Sequence, residues 1–171
     1  RQLRRRRLAM VFQQFALLPS RTVRDNVALG LALRGDPLEV QQQTVTRTLE
    51  LVGLSGWGER PVRELSGGMQ QRVGLARALA TDADVLLMDE PFSALDAVIR
   101  RRLQDELRSL QAQLHKTIVF VTHDLEEAAW LGDRLAVLHE GRLVQQGTPA
   151  EVMASPATPE VEELVRCARP R

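Results

Sequence analysis

The sequence predicts an α/β fold built on a parallel sheet, and two observations carry this prediction. From about residue 84 to the C-terminus, segments of strand character alternate with segments of helical character, as in β–α–β units. The runs 85–88 and 118–121 are continuously apolar, which is typical of strands that are covered on both faces. At 171 residues, the chain is long enough for about one domain with a single core.

The N-terminal half is predicted to combine a strand with helices. LAMVFQ is an apolar run of strand length, and the arginines Arg4–Arg7 before it indicate a solvated surface. Val45, Leu49 and Val52 recur at spacings of four and three, which places them on one helical face. The predicted elements are a strand over 8–13, helices over 25–33, 38–53 and about 66–80, and a glycine-rich loop over 54–64.

The C-terminal half supplies the alternation of strands and helices. One helix carries an apolar stripe at Ile99, Leu103, Leu107, Leu110 and Leu114. LAVLHE and RLVQQG flank a tight turn, which predicts a hairpin. The predicted elements are strands over 84–89 and 117–123, helices between them and over 124–131, the hairpin turning at Glu140 and Gly141, and short helices from Pro149 and Pro159.

Composition limits the class of protein. The chain is 44% hydrophobic and 26% charged, as in an ordinary soluble globular protein. Its formal net charge of +1 gives no electrostatic argument for nucleic acid as a partner. The single cysteine, Cys167, cannot form an internal disulfide, which fits a reducing compartment. No apolar run approaches the ~18 residues that a membrane-spanning helix needs.

The stretch VLLMDEP, residues 85–91, ends an apolar strand in two carboxylates. An acidic residue in this place is typical of sites where a carboxylate holds Mg²⁺ on nucleotide phosphates. Asp89 is the predicted metal ligand, since Mg²⁺ needs few protein ligands beside phosphate oxygens and water. Glu90 is then placed to accept a proton from the attacking water as a general base. The alternative is a capping acid at a strand-to-helix turn.

The stretch LSGGMQQR, residues 65–72, predicts a helix N-terminus that binds an anion. Ser66 is a favourable N-cap residue, and Gly67 and Gly68 leave backbone N–H groups uncovered. Free donors and the helix dipole together make such an N-terminus a phosphate site. The alternative is a tight turn without a ligand.

Two further residues have both a functional and a structural interpretation. His123 follows the predicted strand, where an imidazole can donate to a phosphate oxygen. A lone histidine in such a place is more often a strand-end residue with its own protein partners. Asp96 ends SALD and taken alone has the pattern of an N-cap for the next helix.

Taken in order, these segments resemble the motifs of the ATP-binding-cassette (ABC) ATPase family. FQQFALLP matches its Q-loop, LSGGMQQR its signature, LLMDEP its Walker B motif, SALD its D-loop and VTHD its H-loop. The five motifs occur in the family's order and cover about residues 8 to 147. The resemblance implies a P-loop NTPase fold, with a RecA-like parallel sheet and an inserted helical subdomain.

The resemblance also implies a role for each site residue. The signature residues would bind the γ-phosphate of ATP held by the opposite subunit, and Asp96 would communicate across the dimer. His123 would contact the γ-phosphate. The residues implied for catalysis are Gln13, Glu90 and His123, those for Mg²⁺ are Gln13 and Asp89, and those for ATP and the dimer are Ser66, Gly67, Gly68, Met69 and Asp96.

The sequence departs from the family pattern at two main points. Met69 stands where many members carry Gln, which removes a side-chain donor but leaves the backbone groups that meet phosphate. The sequence contains no G-x-x-x-x-G-K-[ST] phosphate loop. That motif needs a lysine directly after a glycine, and the one lysine, Lys116, follows His115 in LHKT. We therefore expect residues 1–171 to be an N-terminally incomplete ABC ATPase domain. Its helical subdomain would span about 20–80 and the rest of the core 81–171.

The missing phosphate loop has a predicted structural consequence. The resemblance places the strand before that loop inside the sheet, beside the strands that end in Asp89 and His123. Without it, apolar strands such as 85–88 are expected to carry unpaired backbone N–H and C=O groups, a template for aggregation. We therefore expect the chain alone to fold poorly and to have no measurable affinity for ATP.

The segment MVFQQFALLPSRTVRDNVALGL resembles importers of quaternary amines such as glycine betaine, proline betaine and choline. Ser20 departs from that group, in which His usually follows LLP. The resemblance implies ATP and Mg²⁺ as cofactors and a place on the cytoplasmic face of the cell membrane. The implied partners are a second ATPase subunit in a homodimer or pseudo-dimer, transmembrane permease subunits and, indirectly, a substrate-binding protein. Phe15, Leu17, Leu18 and Pro19 form an apolar cluster in a loop, which predicts that residues 15–26 form the groove for a permease helix. The alternative is that Leu17 and Leu18 pack into the helical subdomain.

Two alternatives remain open at this point. A chain without a phosphate loop fits a binding module that docks on a membrane subunit or a partner ATPase and hydrolyses nothing. An importer of polyamines, sugars or amino acids shares much of the same segment. ABC ATPases of DNA repair or translation usually carry long insertions or two cassettes, and neither occurs in this sequence.

Overall fold

A computed structural model of the chain describes residues 8–12, 15–93, 95–114 and 116–168. The chain divides into two compact units, residues 1–121 and 122–171. In the part described, the first unit holds a parallel sheet and the longer helices, and the second holds a β-hairpin and short helices.

The sheet of the first unit contains three parallel strands among the described residues. Strands β1 (Leu8–Val11), β2 (Val85–Asp89) and β3 (Thr117–Val121) lie side by side in that order. In the register, Met88 of β2 is opposite Val11 of β1 and Phe120 of β3. The predicted parallel sheet is therefore confirmed, and β2 is its middle strand.

The prediction that residues 85–88 would lack a partner strand was wrong. Residues 85–88 are hydrogen-bonded on both sides, to β1 and to β3, so they carry no open row of backbone groups. Within the described sheet, the open edges are those of β1 and β3. The prediction that 118–121 is covered on both faces was also wrong, because Val119 and Val121 are 50% and 59% exposed.

Four α-helices accompany this sheet in the described part of the first unit. They are α1 (Val23–Arg34), α2 (Leu38–Leu51), α3 (Gly67–Ala80) and α4 (Ala97–Leu114), with a 3₁₀ turn at Val62–Glu64. Helices α1 and α2 both pack on α3. Val45, Leu49 and Val52, the helical face predicted from periodicity, are 1%, 5% and 4% exposed, so this face is buried as predicted. No described helix is both long enough and apolar enough to cross a membrane.

Helix α1 starts earlier than its apolar pattern indicates because of its cap. The Thr22 hydroxyl accepts a hydrogen bond from the backbone N–H of Asp25 at 3.1 Å. The Asp25 carboxylate accepts one from the backbone N–H of Thr22 at 3.3 Å, which completes a capping box. This cap fixes the point at which the chain leaves the preceding loop, residues 15–21, and enters the helix.

The second unit has the predicted hairpin. Strands β4 (Leu135–His139) and β5 (Arg142–Gly147) pair antiparallel around a turn in which Glu140 and Gly141 have φ of 47° and 74°. Helices α5 (Leu125–Leu131), α6 (Pro149–Ala154) and α7 (Pro159–Ala168) complete the unit. Its buried core contains Leu135, Val152, Val161 and Val165.

Candidate active site

Two carboxylates lie at the carboxyl end of the middle strand. Asp89 is the last residue of β2 and is exposed, and Glu90 follows it and is half-buried. The Glu90 backbone N–H donates to the carbonyl oxygen of Val121, the last residue of β3, at 2.9 Å. The end of the middle strand is thereby tied to its neighbour, at the edge of the sheet where ligands of such folds bind.

The backbone of Glu90 is in the left-handed region, with φ of 41°. This conformation costs a non-glycine residue about 1–2 kcal/mol, so neighbouring groups must hold it. The Glu90 carbonyl accepts hydrogen bonds from the Ser93 backbone N–H at 3.3 Å and from the Ser93 hydroxyl at 3.0 Å. Strained backbone that neighbours hold in place is common at functional sites.

The signature turn, residues 66–68, forms the start of α3. Ser66 is extended, with φ of −63° and ψ of 160°, and its hydroxyl accepts a hydrogen bond from the Met69 backbone N–H at 3.4 Å. Ser66 and Gly67 are exposed, and Met69 is half-buried. A capped helix start that is exposed at Ser66 and Gly67 is the arrangement predicted for an anion site.

The two glycines of the signature turn differ in how much room they have. A Cβ at Gly68 would lie 2.9 Å from the Ile99 side chain of α4, so a larger residue would displace Ile99. A Cβ at Gly67 would meet the Leu95 side chain at 3.8 Å, an ordinary contact. Packing within the chain therefore requires glycine at position 68 and leaves space at position 67.

Asp96 caps the helix that packs behind the signature turn. Its carboxylate accepts hydrogen bonds from the backbone N–H groups of Val98 and Ile99, at 3.1 and 3.0 Å. The N-cap interpretation of Asp96 is thus confirmed. Because Asp96 is also exposed, the cap leaves its carboxylate accessible from outside the chain.

Gln71 of α3 contacts the segment after Glu90, and the sequence predictions missed it. Its side-chain amide donates to the carbonyl oxygen of Pro91 at 2.6 Å, and the residue is 6% exposed. Its Oε1 atom is buried and has no hydrogen-bond partner among the described residues. The available signal was a polar residue on the buried face of a helix, beside Gly74 and Ala78.

His123 belongs to the second unit and is exposed. It follows the end of β3 by two residues and lies next to Asp124, the N-cap of α5. The Asp124 carboxylate accepts from the backbone N–H groups of Glu126 and Glu127, at 2.9 and 3.1 Å. Thr122, on the other side of His123, donates to the Glu127 carboxylate. Gln13 lies outside the described residues.

The loop at residues 15–21 is attached to α3 by Arg77. Phe15 and Ala16 have φ of 56° and 42°, and the Arg77 guanidinium donates to both of their carbonyls, at 2.5 and 2.7 Å. Partial burial lowers the pKa of Arg77 from its usual value. Phe15 is buried, so the expectation that its side chain belongs to the exposed apolar cluster of this loop was wrong, and it packs in this chain's own core.

Asn26 fixes the outer part of the same loop. It is fully buried, and its side chain accepts from the backbone N–H of Leu18 at 2.7 Å and donates to the Leu18 carbonyl at 3.1 Å. Leu18, Pro19 and Ser20 remain exposed on this fixed backbone. The loop is therefore an ordered surface with an apolar outer side.

The carboxylates at the end of β2 fit a divalent cation bound together with phosphate. Among the residues that the structure describes, no cluster of three His, Cys, Asp or Glu side chains could hold a metal by itself. A cation at the exposed Asp89 would take its other ligands from phosphate oxygens and water, as Mg²⁺ commonly does.

Comparison with known proteins connects this geometry to a family. Residues 1–93 match the family model described as ABC transporter. The chain is 51% identical over 165 residues to the glycine betaine transport ATP-binding protein of Bacillus subtilis, covering 96% of this chain and 40% of that protein. It is 49% identical over 162 residues to the sulfate/thiosulfate import ATP-binding protein of Synechococcus elongatus, covering 95% of this chain and 47% of that protein.

A solved structure extends the likeness to the fold. That structure is cbiO1 from Clostridium perfringens, part of the ABC transporter complex cbiONQ, with a TM-score of 0.81 and 30% sequence identity. The match covers 90% of this chain and 61% of the other. The chain thus has the P-loop NTPase fold of the ABC family. It spans less than half the length of the two curated relatives.

Proposed function

The chain belongs to the ABC transporter family, and from this premise we propose that it is the ATP-binding and ATP-hydrolysing part of an importer subunit. The observation that carries the proposal is the pair Asp89 and Glu90 at the end of the middle strand, with the backbone of Glu90 held in a left-handed conformation. A fixed carboxylate beside a metal ligand is what hydrolysis of a phosphoanhydride by water requires.

Each residue of the site has a role in this proposal. Asp89 holds Mg²⁺, which, when bound, neutralises charge on the phosphates. Glu90 accepts the proton of the attacking water, and hydrogen bonds of its backbone N–H and carbonyl hold the residue in place. His123 donates to the γ-phosphate, and Gln13 orients the water and the metal. Asp96 faces the second ATPase subunit of a homodimer or pseudo-dimer.

The signature turn is proposed to act on ATP of the opposite subunit. Gly67 is exposed at the start of α3, and the first N–H groups of a helix have no partner within the helix, which supports a ligand from outside the chain. The positive end of the α3 dipole would stabilise the negative γ-phosphate there.

The phosphate loop is proposed to come from a segment that precedes Arg1. Its strand would pair with the open edge of β3, since β2 already has a partner on each side. This position would also cover part of the exposed strand that carries Val119 and Val121. For experiments, we call residues 1–171 preceded by the N-terminal segment of the B. subtilis relative the extended chain.

An osmolyte of the quaternary amine class is the proposed cargo of the transporter. Sequence identity alone does not decide the class of cargo, because the glycine betaine and sulfate relatives are almost equally similar to this chain, at 51% and 49% identity. The segment from Met10 to Leu31, which contains the loop at 15–21, supports the amine class by its resemblance. The subunit would lie on the cytoplasmic face of the membrane against permease subunits, and a substrate-binding protein would deliver the cargo.

Replacement of the B. subtilis relative tests this function. The extended chain, produced in cells that lack that ATP-binding protein and other osmolyte importers, is expected to restore growth in high salt when glycine betaine is supplied. Asp89→Asn in the extended chain is the control for ATP dependence. Restored growth of a sulfate-importer mutant, without any response to glycine betaine, would contradict the amine assignment.

The exposed outer side of the loop at residues 15–21 is expected to contact a permease helix. Because Asn26 holds the backbone of Leu18, a cysteine at Ser20 or Arg21 would stay at a fixed place on the surface. We expect a crosslink from either position to the membrane subunit in the assembled transporter. Arg63→Cys, an exposed position on the 3₁₀ turn, is the matched control. Crosslinks from Arg63 but from neither loop position would rule the contact out.

A binding module without hydrolysis is the second candidate function. It is favoured by one feature, the absence of a G-x-x-x-x-G-K-[ST] sequence from residues 1–171. This candidate predicts that the extended chain binds a permease subunit or a partner ATPase but hydrolyses no ATP.

A further inference from the structure

We propose that Gln71 is a positioning residue for hydrolysis, which holds the backbone beside Glu90 from the signature helix α3. This inference rests on the proposed function of Glu90 as the general base. Gln71 itself is too deeply buried to touch ATP, with 6% of its surface exposed. It would act through the carbonyl of Pro91, to which its amide donates at 2.6 Å.

The geometry leaves Glu90 little freedom between two restraints. Its N–H is bonded to the Val121 carbonyl of β3 at 2.9 Å, and the next residue, Pro91, is bonded to Gln71 of α3. The proline ring fixes φ of Pro91 near −65°. Only the ψ angles of Glu90 and Pro91 then remain as soft backbone torsions between the Gln71 contact and the Glu90 Cα atom.

Packing alone does not account for a glutamine at this position. The cavity beside Gln71 and Pro91 is lined mostly by apolar side chains such as Leu75 and Met88, and the ion pair of Arg72 with Glu106 also lies on its wall. The Gln71 Oε1 atom is buried there without a partner among the described residues, which destabilises the folded state. Methionine has about the same length and would avoid this cost. The amide donor toward Pro91 is therefore the property that distinguishes glutamine.

The same contact links the signature turn to the general base within one chain. Gln71 lies one helical turn after Gly67, on the rigid start of α3. When the signature turn closes on the ATP of the opposite subunit, the movement of α3 is carried by Gln71 to Pro91 and Glu90.

Gln71→Met in the extended chain separates positioning from stability. We expect a melting temperature close to that of the parent, because removal of the unpaired Gln71 Oε1 offsets the loss of the donor to the Pro91 carbonyl. ATP affinity should stay within twofold of the parent, and kcat should fall by about 10- to 100-fold, the effect of a misplacement of about 1 Å. Gln41→Met is the matched control. The Gln41 amide also donates to a backbone carbonyl, that of Asp36 at 2.7 Å, but in the turn between α1 and α2, so kcat should stay within twofold.

Gln71→Glu supplies a readout that a packing role would not change. A protonated carboxyl at this position donates to the Pro91 carbonyl, and an ionised one does not. Burial raises the pKa of such a carboxyl, so the donor is lost as the pH rises. We expect kcat of this variant, divided by kcat of the parent at the same pH, to increase as the pH falls.

Four outcomes decide the inference. A large fall in kcat for Gln71→Met together with the pH-dependent recovery of Gln71→Glu would support it. If Gln71→Met turned over within threefold of the parent while the separate variant Glu90→Gln was inactive, the inference would be overturned. A kcat ratio for Gln71→Glu that does not change with pH would also overturn it. If Glu90→Gln itself retained turnover, the proposed function would fail, and this inference with it.

Discussion

Glu90→Gln in the extended chain is expected to lower kcat for ATP hydrolysis by about 10²–10⁴-fold, the usual effect of losing a general base. Glutamine keeps the size of the side chain and leaves Asp89 in place, so Mg²⁺ and ATP should still bind. ATP should then accumulate in a stable dimer, which size-exclusion chromatography with ATP would detect. Steady-state phosphate release gives kcat.

Glu140→Gln is the matched control for Glu90→Gln. Glu140 also has a left-handed backbone, with φ of 47°, but it lies exposed in the β4–β5 turn. Its replacement should leave kcat within twofold of the parent. If Glu90→Gln turned over within about threefold of the parent, the assignment of Glu90 as general base would be wrong.

Gly67→Asp is expected to reduce ATPase activity of the dimer by at least about 10²-fold. This is the usual effect of losing hydrogen-bond donors that stabilise negative charge in the transition state. The structure gives a reason to expect normal folding. A Cβ at position 67 meets its nearest neighbour, Leu95, at 3.8 Å, and a carboxylate at a helix N-terminus is favourable. The added charge would instead repel the γ-phosphate of the opposite subunit's ATP. Ser66→Arg, which removes the cap and fills the same space, should have a similar effect.

ATP binding distinguishes this effect from a general loss of function. The isolated subunit of Gly67→Asp should bind ATP as the parent does, because the signature turn serves the partner's nucleotide. Ser66→Thr keeps a capping hydroxyl and should keep most of the activity. A Gly67→Asp subunit that is folded but cannot bind ATP as a monomer would contradict this division of roles.

Local patterns predicted most of the elements because the information lies within short segments. The apolar spacing around Val45 and Leu49 predicted helix α2, and the residues Ser66 and Gly67 predicted the start of α3. Helix α2 ends at Leu51, before the predicted position 53, where Gly53 has φ of 68°. The hairpin turn at Glu140 was equally visible, since its signal is a pair of adjacent residues.

Features that depend on contacts between distant segments were not predictable in this way. Which strand has an open edge depends on the order β1-β2-β3, and an apolar run such as 118–121 has the same composition in the middle of a sheet as at its edge. The contact of Gln71 with Pro91 joins residues 20 apart, and neither residue type indicates the other. The motif resemblance found Asp89 and Glu90, but it did not show what holds Glu90 in place.

The central claim is that Asp89 and Glu90 act on ATP held by a phosphate loop from a preceding segment. Measurement of Mg-ATP binding and ATP turnover for residues 1–171 and for the extended chain, side by side, tests this claim most directly. Residues 1–171 alone are expected to melt with low cooperativity, because the edge of β3 stays open, and to show no binding at millimolar ATP. The extended chain should melt cooperatively, bind ATP and hydrolyse it with dependence on Glu90. A monodisperse protein of residues 1–171 that melts sharply and hydrolyses ATP with dependence on Glu90 would contradict the account.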